Sequence, residues 1–262
     1  METKLILLDL DYTLLKSDRT ISQKSIAILK TCQKKGIKIG FSTSRGSTSV
    51  QQYADLINPE IIICNGGANI FFGKKLVHTQ GFSAEQTRQI FAAAYKVSGK
   101  NIEMTCDTTN ALFWNRKEDK SEQLMLDATF DDFLNFQKPA FKICIQTKNH
   151  QLIEEIIQNS KVQDCTAIPF SDIPWFKLAP KSATKENAIL FVSDFLKIPT
   201  AQMISFGDDY SDIGMLKLCG KGIAMGNAIN EVKQAADDIT LTNDEDGAAV
   251  YLEKIISPNF EF

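Results

Sequence analysis

Near its start the chain reads LILLDLDYTLL over residues 5–15. The apolar part of this segment is continuous rather than alternating, which is typical of a strand in a parallel sheet that is covered on both faces. Asp9 and Asp11 come at the end of the predicted strand 5–11, on one side of it, and ligands of open α/β sheets bind at this end of the strands. Two carboxylates at this place are costly to bury unless a cation or a function requires them, so they indicate a functional site. The alternative interpretation is a solvated turn after the strand.

Similar apolar runs recur along the chain and alternate with helical patterns. The further predicted strands are IKIGFSTS at 37–44, EIIICNG at 60–66, MISFGDD at 203–209, GIAMG at 222–226 and DITLT at 238–242. The predicted helices are 22–35, 184–196, 211–219, 228–236 and 247–256, with Ser22 as the N-cap of the first. This alternation predicts right-handed βαβ units and a doubly wound, Rossmann-like parallel sheet of the α/β class.

The middle of the chain has a different order of elements. It reads as helix 84–98, strands 101–106 and 110–115, a mixed polar segment, strand 140–146, helix 150–160, and strands 163–168 and 174–179. Adjacent strand pairs predict an antiparallel sheet in an α+β domain, inserted with joins near Gly81 and Pro180. We therefore predict a core of residues 1–82 and 182–262 that is interrupted by an inserted domain of residues 83–181.

The composition argues against several classes of protein. Hydrophobic residues make up 44% and charged residues 23%, as in ordinary globular proteins, and the net charge is −3 with no basic run, so nucleic acid is not an expected partner. No apolar run approaches ~20 residues, which argues against a membrane span. Six scattered cysteines without a CxxC pair, and only two histidines, predict free thiols in a reducing, cytoplasmic location rather than a Cys or His metal site. A monomer is the default expectation.

Hydroxyl side chains follow the second predicted strand, in FSTSR at 41–45. Thr43 and Ser44, together with free backbone N–H groups before a helix, would suit a phosphate oxygen. Helix capping is the alternative for such residues.

Two other predicted helices begin beside charged residues: three carboxylates in one case and one lysine in the other. In SFGDDYSDIGML at 205–216 a strand ends at Asp208, and Asp212 opens a helix. Mg²⁺ prefers such oxygen ligands, whereas acidic N-capping explains Asp212 better than Asp208. Lys185 opens a helix against the helix dipole, which suggests an anion nearby; an ordinary surface lysine is the alternative.

Taken together, these segments resemble the haloacid dehalogenase superfamily of phosphohydrolases, and most closely its Cof-type branch, which carries the larger α/β cap. The four signatures of that superfamily fall on DxDxT at 9–13, Thr43, Lys185 and GDxxxD at 207–212. The stretch GIAMGNAINEVKQAADDITLTNDEDGAA at 222–249 also resembles the Cof-type C-terminus. The resemblance covers essentially the whole chain.

The resemblance implies a magnesium-dependent phosphatase. Asp9 would be the nucleophile that forms an aspartyl-phosphate, and Asp11 would be the general acid and base. Mg²⁺ would be held by Asp9, Asp208 and the backbone carbonyl of Asp11, with Asp212 as a more distant or water-mediated partner. The substrate would be a small phosphomonoester, with sugar phosphates first. The inserted domain would act as a lid that reads the leaving group.

The phosphoryl oxygens would be held by several groups, according to the same resemblance. They are Thr43, Lys185, Ser211 and the backbone N–H groups of Leu10, Asp11 and Ser44. Three positions depart from the family pattern: Tyr12 and Ser44 replace its usual glycines, and Ser211 replaces its usual asparagine. Because the nucleophile, acid, lysine and metal carboxylates are all present, we expect activity to survive.

Two other functions stay open at this point. A phosphomutase of the same superfamily would hold a second phosphate, usually with arginines of the cap, but residues 83–181 contain only Arg88 and Arg116, although lysines substitute in part. A non-catalytic sensor of a phosphometabolite would be expected to lack Asp9, Asp11 or Asp208, which are all present.

Overall fold

The structure is a computed structural model that describes residues 2–109, 111–117, 128–171 and 173–256. Its contacts divide the chain into a core unit, Met1–His78 with Thr184–Phe262, and an inserted unit, Thr79–Ala183. The inserted unit thus begins at Thr79 where the prediction has residue 83, and ends at Ala183 where it has residue 181. The assignment of these two units as functional domains stays a prediction.

The core unit is built on one eight-stranded sheet. In chain order its strands are β1 (Leu5–Leu8), β2 (Lys38–Ser42), β3 (Ile61–Cys64), β4 (Asn69–Phe72), β5 (Lys75–Thr79), β12 (Met203–Gly207), β13 (Lys221–Ala224) and β14 (Asp238–Ile239). The sheet order is β14-β13-β12-β1-β2-β3-β4-β5. Neighbours from β14 to β3 are parallel, and β4 is antiparallel to β3. Since β12 and β2 flank β1, the residues that follow these three strands emerge at one edge.

Helices cover both faces of this sheet, which explains the continuous apolar strands. The helices of the core unit are α1 (Gln23–Lys34), α2 (Ser47–Ile57), α5 (Lys185–Leu196), α6 (Ile213–Leu218), α7 (Asn230–Ala235) and α8 (Gly247–Ile256). Alternate residues of β1 belong to two separate apolar clusters: Ile6 and Leu8 to one, and Leu5 and Leu7 to the other. The predicted N-cap is confirmed, because the Ser22 side chain accepts a hydrogen bond from the Ser25 N–H.

The inserted unit is an α+β structure with a six-stranded sheet. Its strands are β6 (Met104–Asp107), β7 (Leu112–Trp114), β8 (Ala128–Phe130), β9 (Lys142–Gln146), β10 (Thr166–Pro169) and β11 (Trp175–Ala179), in the order β10-β11-β9-β6-β7-β8. Its neighbouring strands pair antiparallel from β10 to β7, whereas β7 and β8 are parallel. Helices α3 (Ala84–Ser98) and α4 (His150–Ser160) share one apolar cluster with the sheet, through Phe91, Ile153 and Ile143. The predicted fold class is therefore confirmed.

Several elements differ from the sequence prediction. Helix α2 and strands β4, β5 and β8 were not predicted; the three strands have only three to five residues each. Strand β1 ends at Leu8 rather than at residue 11, because the chain enters a wide helical turn at Leu10–Leu14. Residue 110 of the predicted strand 110–115, and residues 118–127 of the polar segment, lie outside the described residues.

None of the helices in the described ranges is both long enough and apolar enough to cross a membrane. All six cysteines are buried free thiols, as the sequence predicts.

Candidate active site

Asp9 leaves the carboxyl end of the central strand β1 and is 7% exposed. Its N–H still donates to the carbonyl of Phe206 in β12, at 3.1 Å, which fixes the start of the following turn. The turn closes through backbone bonds from the Leu14 N–H to the Asp9 carbonyl, 3.3 Å, and from the Leu15 N–H to the Leu10 carbonyl, 2.8 Å. The Asp9 side chain is thereby held at the edge of the sheet where ligands of this fold class bind.

Lys185, the first residue of α5, lies between two carboxylates. Its Nζ is 2.6 Å from Asp9 Oδ1 and 2.5 Å from Asp212 Oδ1, and the residue is 1% exposed. Burial opposes the charge of this ammonium group, but the carboxylates of Asp212 and Asp9 outweigh it and raise the pKa of Lys185. A lysine at a helix start, unfavourable for the helix dipole, is explained by these two buried partners.

Asp212 and Asp208 are fastened by the loop after β12. Asp212 Oδ2 accepts hydrogen bonds from the N–H groups of Asp208, 2.9 Å, and Asp209, 3.1 Å. Asp208 Oδ1 accepts from the hydroxyl of Thr13 at 2.7 Å. A side chain at Gly207 would meet the Cβ of Asp212 at 2.4 Å, so this close approach requires glycine.

The carboxylates of Asp9, Asp208 and Asp212 form a buried acidic cluster, with ligand oxygens within 4.8 Å of one another. Three carboxylates against the single ammonium group of Lys185 leave two negative charges when all are ionised. Burial, together with the other carboxylates, raises the pKa of both Asp9 and Asp208 well above the usual range. The excess negative charge and the hard oxygen donors fit a divalent cation such as Mg²⁺.

Asp11 has a different partner from Asp9. Arg45 donates to both of its oxygens, from Nε at 2.8 Å and from Nη2 at 2.6 Å, and the guanidinium group lies 5.2 Å from the ring centre of Tyr53. We expected strand alternation to place the side chains of Asp9 and Asp11 on one side. The strand ends at Leu8, before both residues, so this alternation does not apply to them. The Asp11 side chain is accordingly not in the acidic cluster.

The predicted phosphate-binding residues lie at the same edge of the sheet. Thr43 directly follows β2 and is fully buried, and its hydroxyl accepts a hydrogen bond from the Arg45 N–H at 3.1 Å. Ser44 is half-buried in the loop that leads to α2, and Ser211 lies in the turn Tyr210–Asp212 after β12. Leu10 is buried in the turn after Asp9. Their contact with phosphate stays a prediction.

Two asparagines that were not predicted as site residues support the turn after Asp9. Asn227 donates to the carbonyl of Tyr12 at 2.8 Å and accepts from the N–H of Asn243 at 2.9 Å. Asn243 in turn donates to the carbonyl of Leu15 at 3.0 Å. Both asparagines lie within the C-terminal stretch that resembles the Cof-type branch, and this resemblance was the one sequence signal that could have identified them. The carbonyl groups to which they donate are more than 200 residues away along the chain.

The carboxyl edge of the parallel sheet thus gathers three carboxylates and a buried lysine, a set that suits the binding of a cation and of a phosphoryl group. The chain belongs to the haloacid dehalogenase-like hydrolases, since the model of that family matches residues 6–252. The predicted class of enzyme, a phosphoric monoester hydrolase of this superfamily, is confirmed by this match and by relatives that are named as phosphatases.

Two relatives from Bacillus subtilis, both named as 5-amino-6-(5-phospho-D-ribitylamino)uracil phosphatases, match nearly the whole chain. One is 27% identical and covers 98% of this chain and 100% of its own; the other is 26% identical and covers 95% and 94%. A solved structure described as a sugar phosphatase of haloacid dehalogenase subclass IIB is 22% identical, with a TM-score of 0.80 over 97% of this chain and 99% of its own. At that identity the likeness shows the fold alone.

Proposed function

We propose that this protein is a magnesium-dependent phosphatase that hydrolyses a small phosphorylated metabolite through an aspartyl-phosphate on Asp9. The observation that carries the proposal is the acidic cluster, in which Asp9 is buried beside Lys185 and two further carboxylates. Asp9 supplies a carboxylate nucleophile, and Lys185 together with a divalent cation at the cluster would neutralise the charge that otherwise repels a phosphate dianion.

In the first step, Asp9 attacks phosphorus. Lys185 contacts Oδ1 of Asp9, so we assign the attack to Oδ2. A bond forms between this oxygen and phosphorus as the bond from phosphorus to the leaving oxygen breaks, and Asp11 gives a proton to that oxygen. Since Arg45 engages both oxygens of Asp11, at least one of those hydrogen bonds must break for the transfer.

In the second step, water hydrolyses the aspartyl-phosphate. Asp11 takes a proton from the water while the oxygen of the water bonds to phosphorus. The bond between phosphorus and Asp9 breaks at the same time, which restores the nucleophile. Thr43, Lys185, Ser211 and the N–H groups of Leu10, Asp11 and Ser44 would hold the phosphoryl oxygens. Asp9, Asp208 and the carbonyl of Asp11 would bind Mg²⁺, with Asp212 behind them. When bound, the ion supplies positive charge beside the transferring group.

The proposed substrate class is a sugar phosphate. The named sugar phosphatase of the same fold supports it, and the phosphorylated ribityl chain that the Bacillus relatives act on is a related polyol phosphate. We also propose a cytoplasmic location, which the six free thiols support. A phosphomutase is the second candidate, and it differs in its product.

The test is phosphate release from a panel of sugar phosphates, with Mg²⁺ or with chelator, by the wild type and by Asp9→Asn. We expect release that needs both Mg²⁺ and Asp9, because the substitution removes the nucleophile while keeping its shape. Asp194→Asn, at an exposed site of α5, is the matched control and should keep wild-type turnover. NMR of the products would reveal isomerised sugar phosphate if the protein were a mutase.

Substantial phosphate release by a folded Asp9→Asn protein would disprove the assigned nucleophile. Full activity after exhaustive chelation would disprove the magnesium dependence.

A further inference from the structure

The turn that follows β3, at residues 65–67, has a distinctive backbone (the β3 turn). Its three residues are Asn65, Gly66 and Gly67, and their φ angles are 52°, 67° and 112°, all in the positive range that favours glycine. Asparagine is enriched among the residues with a side chain that adopt this range. Asn65 is 2% exposed, and its Nδ2 donates to Oδ1 of Asn69 in β4 at 2.8 Å, which fixes the turn to the sheet.

The β3 turn is bonded to the loop that follows β2. The Asn65 N–H donates to the carbonyl of Arg45 at 2.8 Å, and the Gly66 N–H donates to the carbonyl of Thr43 at 2.9 Å. Successive N–H groups converge on one loop in this way where left-handed residues turn the backbone. Thr43 is a proposed phosphate ligand, and the Arg45 side chain holds the Asp11 carboxylate. The turn therefore supports two residues of the candidate active site.

The β3 turn also lies against the start of α5. A side chain on Gly67 would place its Cβ 2.2 Å from the carbonyl oxygen of Thr184 and 2.8 Å from the Thr184 nitrogen. Because these are backbone atoms, no side-chain rotation relieves the overlap. Thr184 is the N-cap of α5, and the next residue is Lys185, whose Nζ lies 2.6 Å from Asp9 Oδ1. The absence of a side chain at Gly67 thus lets the helix that carries Lys185 begin directly against the turn.

One atom of the β3 turn lowers the stability of the protein. Oδ1 of Asn65 is buried and has no hydrogen-bond partner among the described residues. A buried oxygen without a donor costs free energy. Departures of this kind from optimal stability are expected at functional sites, where another requirement outweighs stability.

We propose that the β3 turn is a positioning element of the active site, which sets the separation between the loop of Thr43 and Arg45 and the helix start that carries Lys185. Asn65 and Gly67 are its positioning residues, and they act through the residues that they hold. The inference rests on the proposed phosphatase function, in which Thr43 and Lys185 hold oxygens of one phosphoryl group. Their separation must then match the size of that group, and a small displacement lowers turnover. All of these residues belong to the core unit.

The first test compares Gly67→Ala with Gly73→Ala, in the full-length protein. Both glycines have a positive φ, 112° and 55°, but a Cβ at Gly73 would meet no atom within 4 Å. Both substitutions strain the backbone, whereas only the first displaces Thr184. We expect kcat for p-nitrophenyl phosphate, measured well below the melting temperature, to fall at least about tenfold in Gly67→Ala and less than about twofold in Gly73→Ala. KM should change less than kcat, because the phosphate-binding groups are misplaced but still present.

The second test changes the backbone conformation at Asn65. A β-branched residue at a positive φ is strongly disfavoured, so Asn65→Val should break the bond to the Arg45 carbonyl and lower kcat about tenfold. Asn65→Gly keeps the left-handed backbone without the amide, and kcat should recover to within about threefold of the wild type. Equal losses in both variants would overturn the positioning role of this backbone. Gly67→Ala decides the question if Asn65→Val does not fold.

A double-mutant cycle of Gly67→Ala with Arg45→Met separates positioning from loss of stability. Because the β3 turn holds the Arg45 backbone, part of the loss in Gly67→Ala should pass through the Arg45 side chain. We expect the loss of kcat in the double variant to be at least about threefold smaller than the product of the two single losses. A purely structural role of Gly67 would lower the melting temperature and leave kcat of the folded protein unchanged.

Equal kcat in Gly67→Ala and Gly73→Ala, or fully multiplicative losses in the cycle, would overturn the inference. Hydrolysis of p-nitrophenyl phosphate by the wild type would show that the proposed function survives that result. Without hydrolysis of any compound by the wild type, the proposed function itself would fail, and the inference with it.

Discussion

The acidic cluster of the core unit and the buried charges of the inserted unit lie in different parts of their strands. The cluster lies just beyond strand ends and has two negative charges in excess. In the inserted unit the buried charges lie within strands, where Lys142 Nζ is 3.2 Å from Asp107 Oδ2 and Lys177 is 2% exposed. The composition of the cluster suits a cation and a phosphoryl group.

The difference shows what fixes each kind of position. Strand ends of a parallel sheet meet at one edge whatever the loops contain, so a chemical step is conveniently built there. Side chains within a strand depend on register, and one substitution changes one contact without moving the backbone. We therefore expect variants of the cluster to have the largest effects on turnover.

The largest effect should follow Lys185→Met. The change leaves Asp9 and Asp212 buried without their ammonium partner, whose Nζ lies 2.6 Å and 2.5 Å from them. We expect a loss of about 3–5 kcal/mol in the free energy of unfolding, measured by urea denaturation in chelator. Phosphate release should fall at least about a thousandfold, because charge stabilisation at the phosphoryl group is lost.

Lys197→Met, at the residue that follows α5, is the control, since that side chain is 78% exposed and pairs with Asp194 at the surface. It should change stability by less than about 1 kcal/mol. Equal losses for the two variants would contradict the view that the cluster depends on Lys185.

The second effect concerns the metal. Asp208→Asn keeps the shape of the side chain and its contact with Thr13 but removes one carboxylate of the cluster. We expect Mg²⁺ to raise the melting temperature of the wild type, since a ligand that binds only the folded state stabilises it, and to raise that of the variant far less. The apparent affinity for Mg²⁺ should fall more than about a hundredfold. An undiminished shift in Asp208→Asn would place the metal elsewhere.

A smaller effect should follow Arg45→Met, which frees the Asp11 carboxylate from its two hydrogen bonds. Because Asp11 would then lose its fixed orientation, we expect kcat to fall about tenfold with KM little changed. Arg45→Lys should recover only part of kcat, since an ammonium group does not make the bidentate contact. Unchanged kcat in Arg45→Met would show that the arginine does not position Asp11.

The sequence was informative about the core because its signals are local. Continuous apolar strands predicted a sheet covered on both faces, and the ends of those strands named Asp9, Thr43 and Asp208 as neighbours. Helix α2 and strands β4 and β5 were missed, and alternation past Leu8 misled, since it assumed that the strand continued to Asp11. The backbone of a loop is not specified by apolar periodicity.

The side-chain neighbours within the sheet of the inserted unit could not be predicted for a related reason. The register of three strand pairings puts Trp114, Thr105, Cys144 and Lys177 in one row. The same holds for Arg45, whose partner Asp11 is 34 residues away along the chain. Residue type alone gave no reason to prefer these residues over other polar ones.

The smallest effect should follow Tyr12→Gly, which restores the residue usual in the family. Tyr12 has a left-handed backbone, φ 55°, and its side chain is 43% exposed. Glycine adopts this conformation without the steric cost of a side chain, but it also gains more freedom on unfolding. We therefore expect a change in the free energy of unfolding of no more than about 1 kcal/mol, measured by urea denaturation. Turnover of p-nitrophenyl phosphate should stay near the wild-type value, because Asn227 holds the carbonyl of residue 12, which the substitution keeps. A large loss of turnover would mean that the tyrosine ring itself takes part in the reaction, although it lies outside the acidic cluster.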